Sequence, residues 1–249
     1  MAVSTFLVYT VGQETLSADV RDSRFQIGFL KCLYLQRKQY HTVEGDRRIM
    51  DELTAFLKTR KPVNLLMVAI NVLVFIGLSF FGDTENVEFM VNHGACFPPY
   101  VTEYHEYYRI VTCMFLHFGL QHLVNNMLVL IFLGDALEEL VGKIRYLLIY
   151  LGGGIAGNVL SLIWSMKTED YAVSAGASGA IFAVMGALLF LVIRGRGRIR
   201  DWSGRRLIFM VALCVLQGMT STGVDNTAHI GGLLAGFLIA FVTGMISRK

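Results

Sequence analysis

The chain has 249 residues, 54% hydrophobic and 16% charged, with a formal net charge of +3. A soluble domain carries roughly 25% charged residues. Here the apolar residues gather in long runs and the mean hydropathy is +0.54, which excludes an ordinary water-soluble core and points to lipid as the solvent.

Twenty-five glycines against three prolines fit helices that approach closely through small residues. The four cysteines, Cys32, Cys96, Cys113 and Cys214, have no CxxC or finger-like spacing, so neither a metal site nor a cofactor is expected. Cys96 and Cys113 share one loop region and could pair, which spacing alone does not establish. The N-terminus has no basic segment followed at once by an apolar one, so no secretory signal is expected. Its Glu14, Asp19 and Asp22 argue against a mitochondrial presequence.

Residues 1–61 are mixed in character. Phe6–Tyr9 and Phe25–Leu35 read as strands, and Arg47–Lys58 sets Ile49, Leu53, Phe56 and Leu57 on one helical face. A small cytosolic α+β segment is expected here, with a surface-lying amphipathic segment as the alternative. Residues 62–249 form the second expected domain, an all-α bundle of six transmembrane helices over about 63–81, 118–140, 144–166, 177–193, 206–221 and 227–246. The connection at 82–117 is long, polar and rich in tyrosine, including Tyr100, Tyr104, Tyr107 and Tyr108; the others are short.

Charge sets the orientation. Ten Lys and Arg precede span 1, Lys143 and Arg145 sit in the 2–3 turn, six follow span 4, and Arg248 and Lys249 end the chain. Only Arg109 and Lys167 fall on the other side, so the positive-inside rule places both termini in the cytoplasm. The run Arg194-Gly-Arg-Gly-Arg-Ile-Arg200 has the composition of a nucleic-acid patch. Beside an apolar span it reads instead as an orientation signal touching anionic headgroups, and no nucleic-acid partner is expected.

Polar side chains inside spans are costly and mark functional sites. Four stand out: His122 and Asn126 in span 2, Ser178 in span 4 and His229 in span 6. At about 1.5 Å rise per residue, these lie roughly 24–30 Å from the cytoplasmic ends of their spans, in one layer toward the outer side. His122 and Asn126 are four residues apart and share a helix face. Span 4 carries Gly176, Ala177, Gly179, Ala183 and Gly186, and span 6 carries Ala228, Gly232 and Gly236, small-residue stripes whose packing would bring Ser178 and His229 together.

The chemistry follows from residue type. A serine hydroxyl needs a base to become a nucleophile, and His229 is the one histidine of span 6. An oxyanion needs prearranged donors: the free N–H groups where Ser178 opens its helix, and the side chains of His122 and Asn126. Glu138 and Glu139 lie near the cytoplasmic end and Asp225 lies in the outer loop, so a dyad is expected rather than a triad. Phe182, one turn from Ser178, is placed either to stack on His229 or simply to fill space. The string Gly176-Ala-Ser178-Gly-Ala invites comparison with the hydrolase elbow, but that motif requires a strand–turn–helix setting, which a membrane helix does not offer.

From Pro62 onward the chain resembles the rhomboid intramembrane serine proteases. The resemblance is carried by Tyr108-Arg109, by His117-Phe-Gly-Leu-Gln-His122-Leu-Val-Asn-Asn126, by Gly134 with Glu138, by Gly176-Ala-Ser178-Gly-Ala-Ile-Phe-Ala, and by Ala228-His229-Ile-Gly-Gly232-Leu-Leu-Ala-Gly236. It implies a six-helix rhomboid-like bundle, a Ser178 nucleophile, a His229 base, and an oxyanion hole of His122, Asn126 and the Ser178 N–H. It also implies an interfacial loop before span 2, with Arg109 and Glu138 structural. Tyr108 stands where many members have tryptophan, and Phe182 where some have tyrosine.

The function expected is cleavage of transmembrane protein substrates in the bilayer, in a bacterial cell membrane; no oligomeric state is specified. The alternatives are a catalytically inactive rhomboid-like protein that binds membrane clients, which would lack the serine or the histidine, and a small-solute transporter, which would show paired repeats with broken spans. The 20-to-2 charge split predicts that cysteines introduced near Thr84 or Thr222 are labelled from outside intact cells, whereas those near Arg198 are not. Labelling at Arg198 would overturn this topology.

Overall fold

The computed structural model describes residues 50–52, 54–55, 57–195, 198–199, 202–203, 208–209, 212 and 223–244. The chain divides into two units, Met1–Thr59 and Arg60–Lys249. In the first, the described residues between 50 and 59 are helical, and the two expected strands lie outside the described residues.

The second unit opens with α1, Pro62–Ser79, where proline's fixed φ suits the first turn. Its N-cap, Lys61, supplies no side-chain cap. Instead the carboxylate of Glu138 accepts from the N–H groups of Val63 (3.3 Å) and Asn64 (2.7 Å), and Asp135 accepts from Lys61 N–H at 3.1 Å. Both carboxylates come from α5, Gly119–Val141. Negative charge at a helix start is favourable, and the otherwise orphaned donors of that first turn are satisfied. Asn64 completes the cluster by donating to Asp135 (2.8 Å) and to Leu130 O (3.1 Å) and by accepting from the Tyr146 hydroxyl at 2.6 Å.

The long connection is more ordered than its composition indicates. It holds α2, Val87–Asn92, α3, Pro98–Thr102, and α4, Arg109–Thr112, followed by a single 3-10 turn, Cys113–Phe115. Arg109 organises it from the inside: only 3% exposed, it donates to the carbonyls of Val91 and Ala95 and to the Glu106 carboxylate. The guanidinium lies 4.8 Å from the Tyr100 ring centre and 5.4 Å from that of Tyr108. Its hydrogen bond to Glu106 holds that carboxyl below the ordinary range.

The chain then bends by 88° into α5. A one-residue turn at Gly142, with φ +87°, joins α5 to α6, Lys143–Thr168. Only glycine adopts that φ without cost, so a single residue suffices to join the two helices. Next come α7, Ser178–Arg194, and α8, Asn226–Val242. Between them lie the two-residue antiparallel strands β1, Arg198–Ile199, and β2, Trp202–Ser203, a small departure from the all-α expectation. The fifth expected span, 206–221, falls almost wholly outside the described residues.

By length and apolar character α1 and α6 can each cross a membrane, and the bent pair Arg109–Phe115 with Gly119–Val141 can do so as one span. At 17 residues each, α7 and α8 are apolar and shorter.

Helix α7 is buried continuously from Gly179 to Leu188, which makes it the centre of the bundle. It is packed by glycine. A Cβ on Gly232 of α8 would overlap the Gly179 carbonyl oxygen, one on Gly236 the Ala183 carbonyl oxygen, and one on Gly186 of α7 the Leu233 carbonyl oxygen. On the other flank a Cβ at Gly157 of α6 would lie 2.6 Å from Ala228 O. The small-residue stripes of spans 4 and 6 therefore meet as their spacing anticipates.

This contact predicts a contrast between two Gly→Ala substitutions. Gly236→Ala forces α7 and α8 apart and should cost about 1–3 kcal/mol by overpacking, read as a lower thermal midpoint in detergent. Gly77→Ala, in α1 with nothing within 4 Å of the new Cβ, should be neutral or stabilising by about 0.5–1 kcal/mol. Equal effects of the two substitutions would refute the packing argument.

Candidate active site

The polar layer is assembled around the start of α7. The segment leading into that helix is held on both main-chain sides. Cys96 N–H donates to Ser174 O (2.9 Å) and Ser174 N–H to Cys96 O (2.8 Å), while Gly176 N–H donates to Cys113 O at 2.9 Å. Gly176 has φ +141° and leaves no space for a side chain, since a Cβ there would lie 2.9 Å from His122 Cε1. Ala177 precedes the helix as its N-cap, and its N–H points at His117 Nε2, 3.4 Å away.

Ser178 is the first residue of α7, and the first main-chain bond of that end runs from Ile181 N–H to Ala177 O at 3.0 Å. The N–H groups of Ser178, Gly179 and Ala180 thus precede the helical ladder, where partial positive charge gathers. The Ser178 hydroxyl lies 2.8 Å from His229 Nε2. The His229 ring stacks on Phe182 with centroids 4.3 Å apart and planes 9° from parallel. Of the two placements the sequence leaves open for Phe182, this is the stacked one.

His122 and Asn126, on one face of α5, converge from the opposite side. At Gly176, two residues before Ser178, the position of a Cβ would be 3.0 Å from His122 Nε2 and 3.6 Å from Asn126 Nδ2. Asn126 is 9% exposed, and its Nδ2 has no hydrogen-bond partner among the described residues. Such a buried donor is costly to leave unpaired and marks a site prepared for an acceptor. All four side chains singled out from the sequence therefore lie around one turn of chain.

No carboxylate completes a triad among the described residues. Asp225, one turn before His229, spends its oxygens elsewhere: Oδ1 accepts from Ala228 N–H at 2.8 Å as the cap of α8, and Oδ2 accepts from Ser161 Oγ at 2.6 Å. His229 Nδ1 is buried with no protein partner among the described residues.

Two residues at the site carried no separate reading from sequence. His117 is 1% exposed, contacts the turn before Ser178 and sets its ring edge against His122 at 5.1 Å and 70°. In sequence it sits just ahead of α5, off the face that His122 and Asn126 share. Asn158 of α6 donates to Ile110 O (2.8 Å) and to Cys113 Sγ (3.1 Å), anchoring the chain that enters α5. An isolated asparagine in a glycine-rich span gives no signal of such a partner. Cys96 and Cys113 are both free thiols. Among the described residues no group of three or more His, Cys, Asp or Glu is arranged to hold a metal.

Comparison with known proteins finds similar chains. The chain is 34% identical over 217 residues to the rhomboid protease GluP of Bacillus subtilis (strain 168), a match covering 87% of this chain and 40% of that protein. It is 36% identical over 137 residues to the putative rhomboid protease YdcA of the same organism, covering 55% of this chain and 67% of that protein. RHOMBOID-like protein 2 of Arabidopsis thaliana is 40% identical over 144 residues, 57% of this chain and 44% of the relative. A family model for the rhomboid domain matches residues 104–246, from the connection before α4 past the end of α8. With more than half of its length covered by that model, the chain belongs to the rhomboid family of integral membrane proteins.

Proposed function

We propose that the chain is an intramembrane serine endopeptidase that cleaves transmembrane segments of other proteins with a Ser178–His229 dyad. The observation that carries this reading is the 2.8 Å contact between Ser178 Oγ and His229 Nε2 at the start of a central helix. With Nε2 as acceptor the serine hydroxyl donates to it, and His229 takes that proton as Ser178 attacks a substrate carbonyl. The imidazolium then returns the proton to the departing amine. Phe182 keeps the ring in one plane through both transfers.

The oxyanion formed on attack would be met by the Ser178 N–H, by Asn126 Nδ2 and by His122 in its Nε2–H form. These donors are fixed before the reaction, which is what makes them effective. Water then hydrolyses the acyl-enzyme with His229 again as base. The reading includes six spans with both termini cytoplasmic in a bacterial cell membrane, a separate N-terminal segment over 1–61, and cleavage near the outer end of the substrate helix. A helix hides its amides, so a substrate segment must unwind locally to reach Ser178. The inactive, client-binding alternative gains no support from a serine and a histidine already in hydrogen-bond contact.

The test is a graded mutant series with a membrane substrate in detergent or vesicles. Ser178→Ala and His229→Ala should each reduce cleavage to background while the protein stays folded. Asn126→Ala removes one donor of several and should cost roughly 10²–10³ in rate, or about 2.7–4 kcal/mol, leaving a measurable trace; His122→Ala should behave similarly. A fluorophosphonate probe should label the wild type and fail on Ser178→Ala. Normal cleavage by the Ser178→Ala protein would sink the dyad.

A further inference from the structure

A cavity of about 790 Å³ opens at the end of the bundle where α5 finishes and α1 and α6 begin. Small-molecule sites span roughly 300–1,000 Å³, and the proposed dyad, at the starts of α7 and α8, makes no use of this one. Three cations line it: Lys61, the N-cap of α1, and Lys143 and Arg145 in the first turn of α6. Two carboxylates line it as well, and both are engaged. Glu138, 3% exposed, accepts from the N–H groups of Val63 and Asn64 with one oxygen each. Glu139 lies 3.6 Å from the Lys61 ammonium. Lys143 and Arg145 are exposed and have no ion-pair partner among the described residues.

Two uncompensated cations in an open cavity are suited to an anion, and the residue between them narrows its kind. Ile144 is 77% exposed, and Leu148, one turn further along the same helix face, is 54% exposed. Both α1 and α6 are long and apolar enough to cross a membrane, so the cavity stands where spans end and headgroups begin. From it the Ile144–Leu148 stripe runs toward the hydrocarbon. Fixed positive charge at headgroup depth beside an apolar track is complementary to a molecule with a phosphate at one end and acyl chains at the other. Inorganic phosphate would meet the cations and leave the stripe unused. We propose that this cavity binds the headgroup of an anionic glycerophospholipid, its phosphate against Lys143 and Arg145 and an acyl chain along Ile144 and Leu148.

A lipid bound there touches the N-cap of α1 and the first turn of α6, beside the bond from the Tyr146 hydroxyl to Asn64 that already joins these helices. The cavity exists only when α1, α5 and α6 are assembled, so the lipid stabilises the folded bundle over the unfolded chain. The site is independent of the proposed peptidase chemistry, and its test reads binding alone.

The experiment takes the full chain in a neutral detergent at fixed ionic strength, doped with phosphatidylglycerol or with the same mole fraction of phosphatidylcholine, and records the thermal midpoint. Phosphatidylglycerol should raise the midpoint above that in phosphatidylcholine by about 3 °C or more, saturating with mole fraction. Lys143→Gln with Arg145→Gln should abolish this difference. Arg248→Gln with Lys249→Gln, which removes the same charge from the end of the chain, should keep it. Inorganic phosphate replacing chloride should give no comparable rise. If the Lys143→Gln, Arg145→Gln protein has no thermal transition, native mass spectrometry from an equimolar mixture of the two lipids replaces it. Phosphatidylglycerol should then be retained in preference by the unsubstituted chain, and the preference should be lost in Arg145→Gln. Equal midpoints in the two lipids, an undiminished difference or preference without the cavity cations, an equal loss in the chain-end variant, or a full rise with inorganic phosphate would overturn the proposal.

Discussion

The distance between two helix backbones governs this molecule. Ser178 and His229 belong to α7 and α8, 51 residues apart in sequence, and no loop geometry could hold their side chains at hydrogen-bond separation. What holds them is the contact of Gly232 with the Gly179 carbonyl and of Gly236 with the Ala183 carbonyl, at successive turns of both helices. With any larger residue at those positions the axes separate, and the side chains at the helix starts separate with them. In lipid, where apolar burial gives helices little reason to associate, close backbone packing of this kind is the main attraction available. The same glycines that join the bundle therefore set the geometry of its polar layer.

A second constraint is that a backbone polar group out of water must find a partner within the protein. The chain meets it by lending side chains between elements. Glu138 and Asp135 of α5 close the start of α1, Asp225 closes the start of α8 while accepting from Ser161 of α6, and Arg109 closes the carbonyls of the long connection. The start of α7 is met differently. His117 meets the N–H of Ala177, and the neighbouring Asn126 Nδ2 has no hydrogen-bond partner among the described residues.

Much of this could be read from residues alone, for a definite reason. Long apolar runs fix helices by composition, and within them a polar side chain is conspicuous, so Ser178, His229, His122 and Asn126 stood out without structural help. The glycine stripes were legible because their period is that of the helix itself. What composition cannot convey is partnership across the fold. Tyr-rich, polar residues 82–117 read as a loop, yet a single buried arginine organises three short helices there. His117 and Asn158 were invisible as site neighbours because each works through a main-chain atom tens of residues away, and a main-chain atom carries no sequence signature. Cys96 and Cys113 raised pairing as a possibility because they share one loop region, and in the fold both are buried free thiols.

The missing third member of the proposed dyad follows from the same economy of partners. A carboxylate in a serine hydrolase orients the imidazole and stabilises its charged form, and Asp225 is only one turn from His229. Its two oxygens are already committed, one to the first turn of α8 and one to Ser161. Moving it to His229 would leave the start of α8 uncapped, and with it the helix that presents the histidine. Orientation is instead supplied from the other side by the Phe182 ring, parallel to the imidazole at 4.3 Å, on the neighbouring turn of the helix that carries Ser178. Nucleophile and ring support thus move as one body, and the distance left to control is the one between α7 and α8. An aromatic face positions an imidazole without adding a second buried charge, which suits a site whose surroundings are apolar helix and lipid.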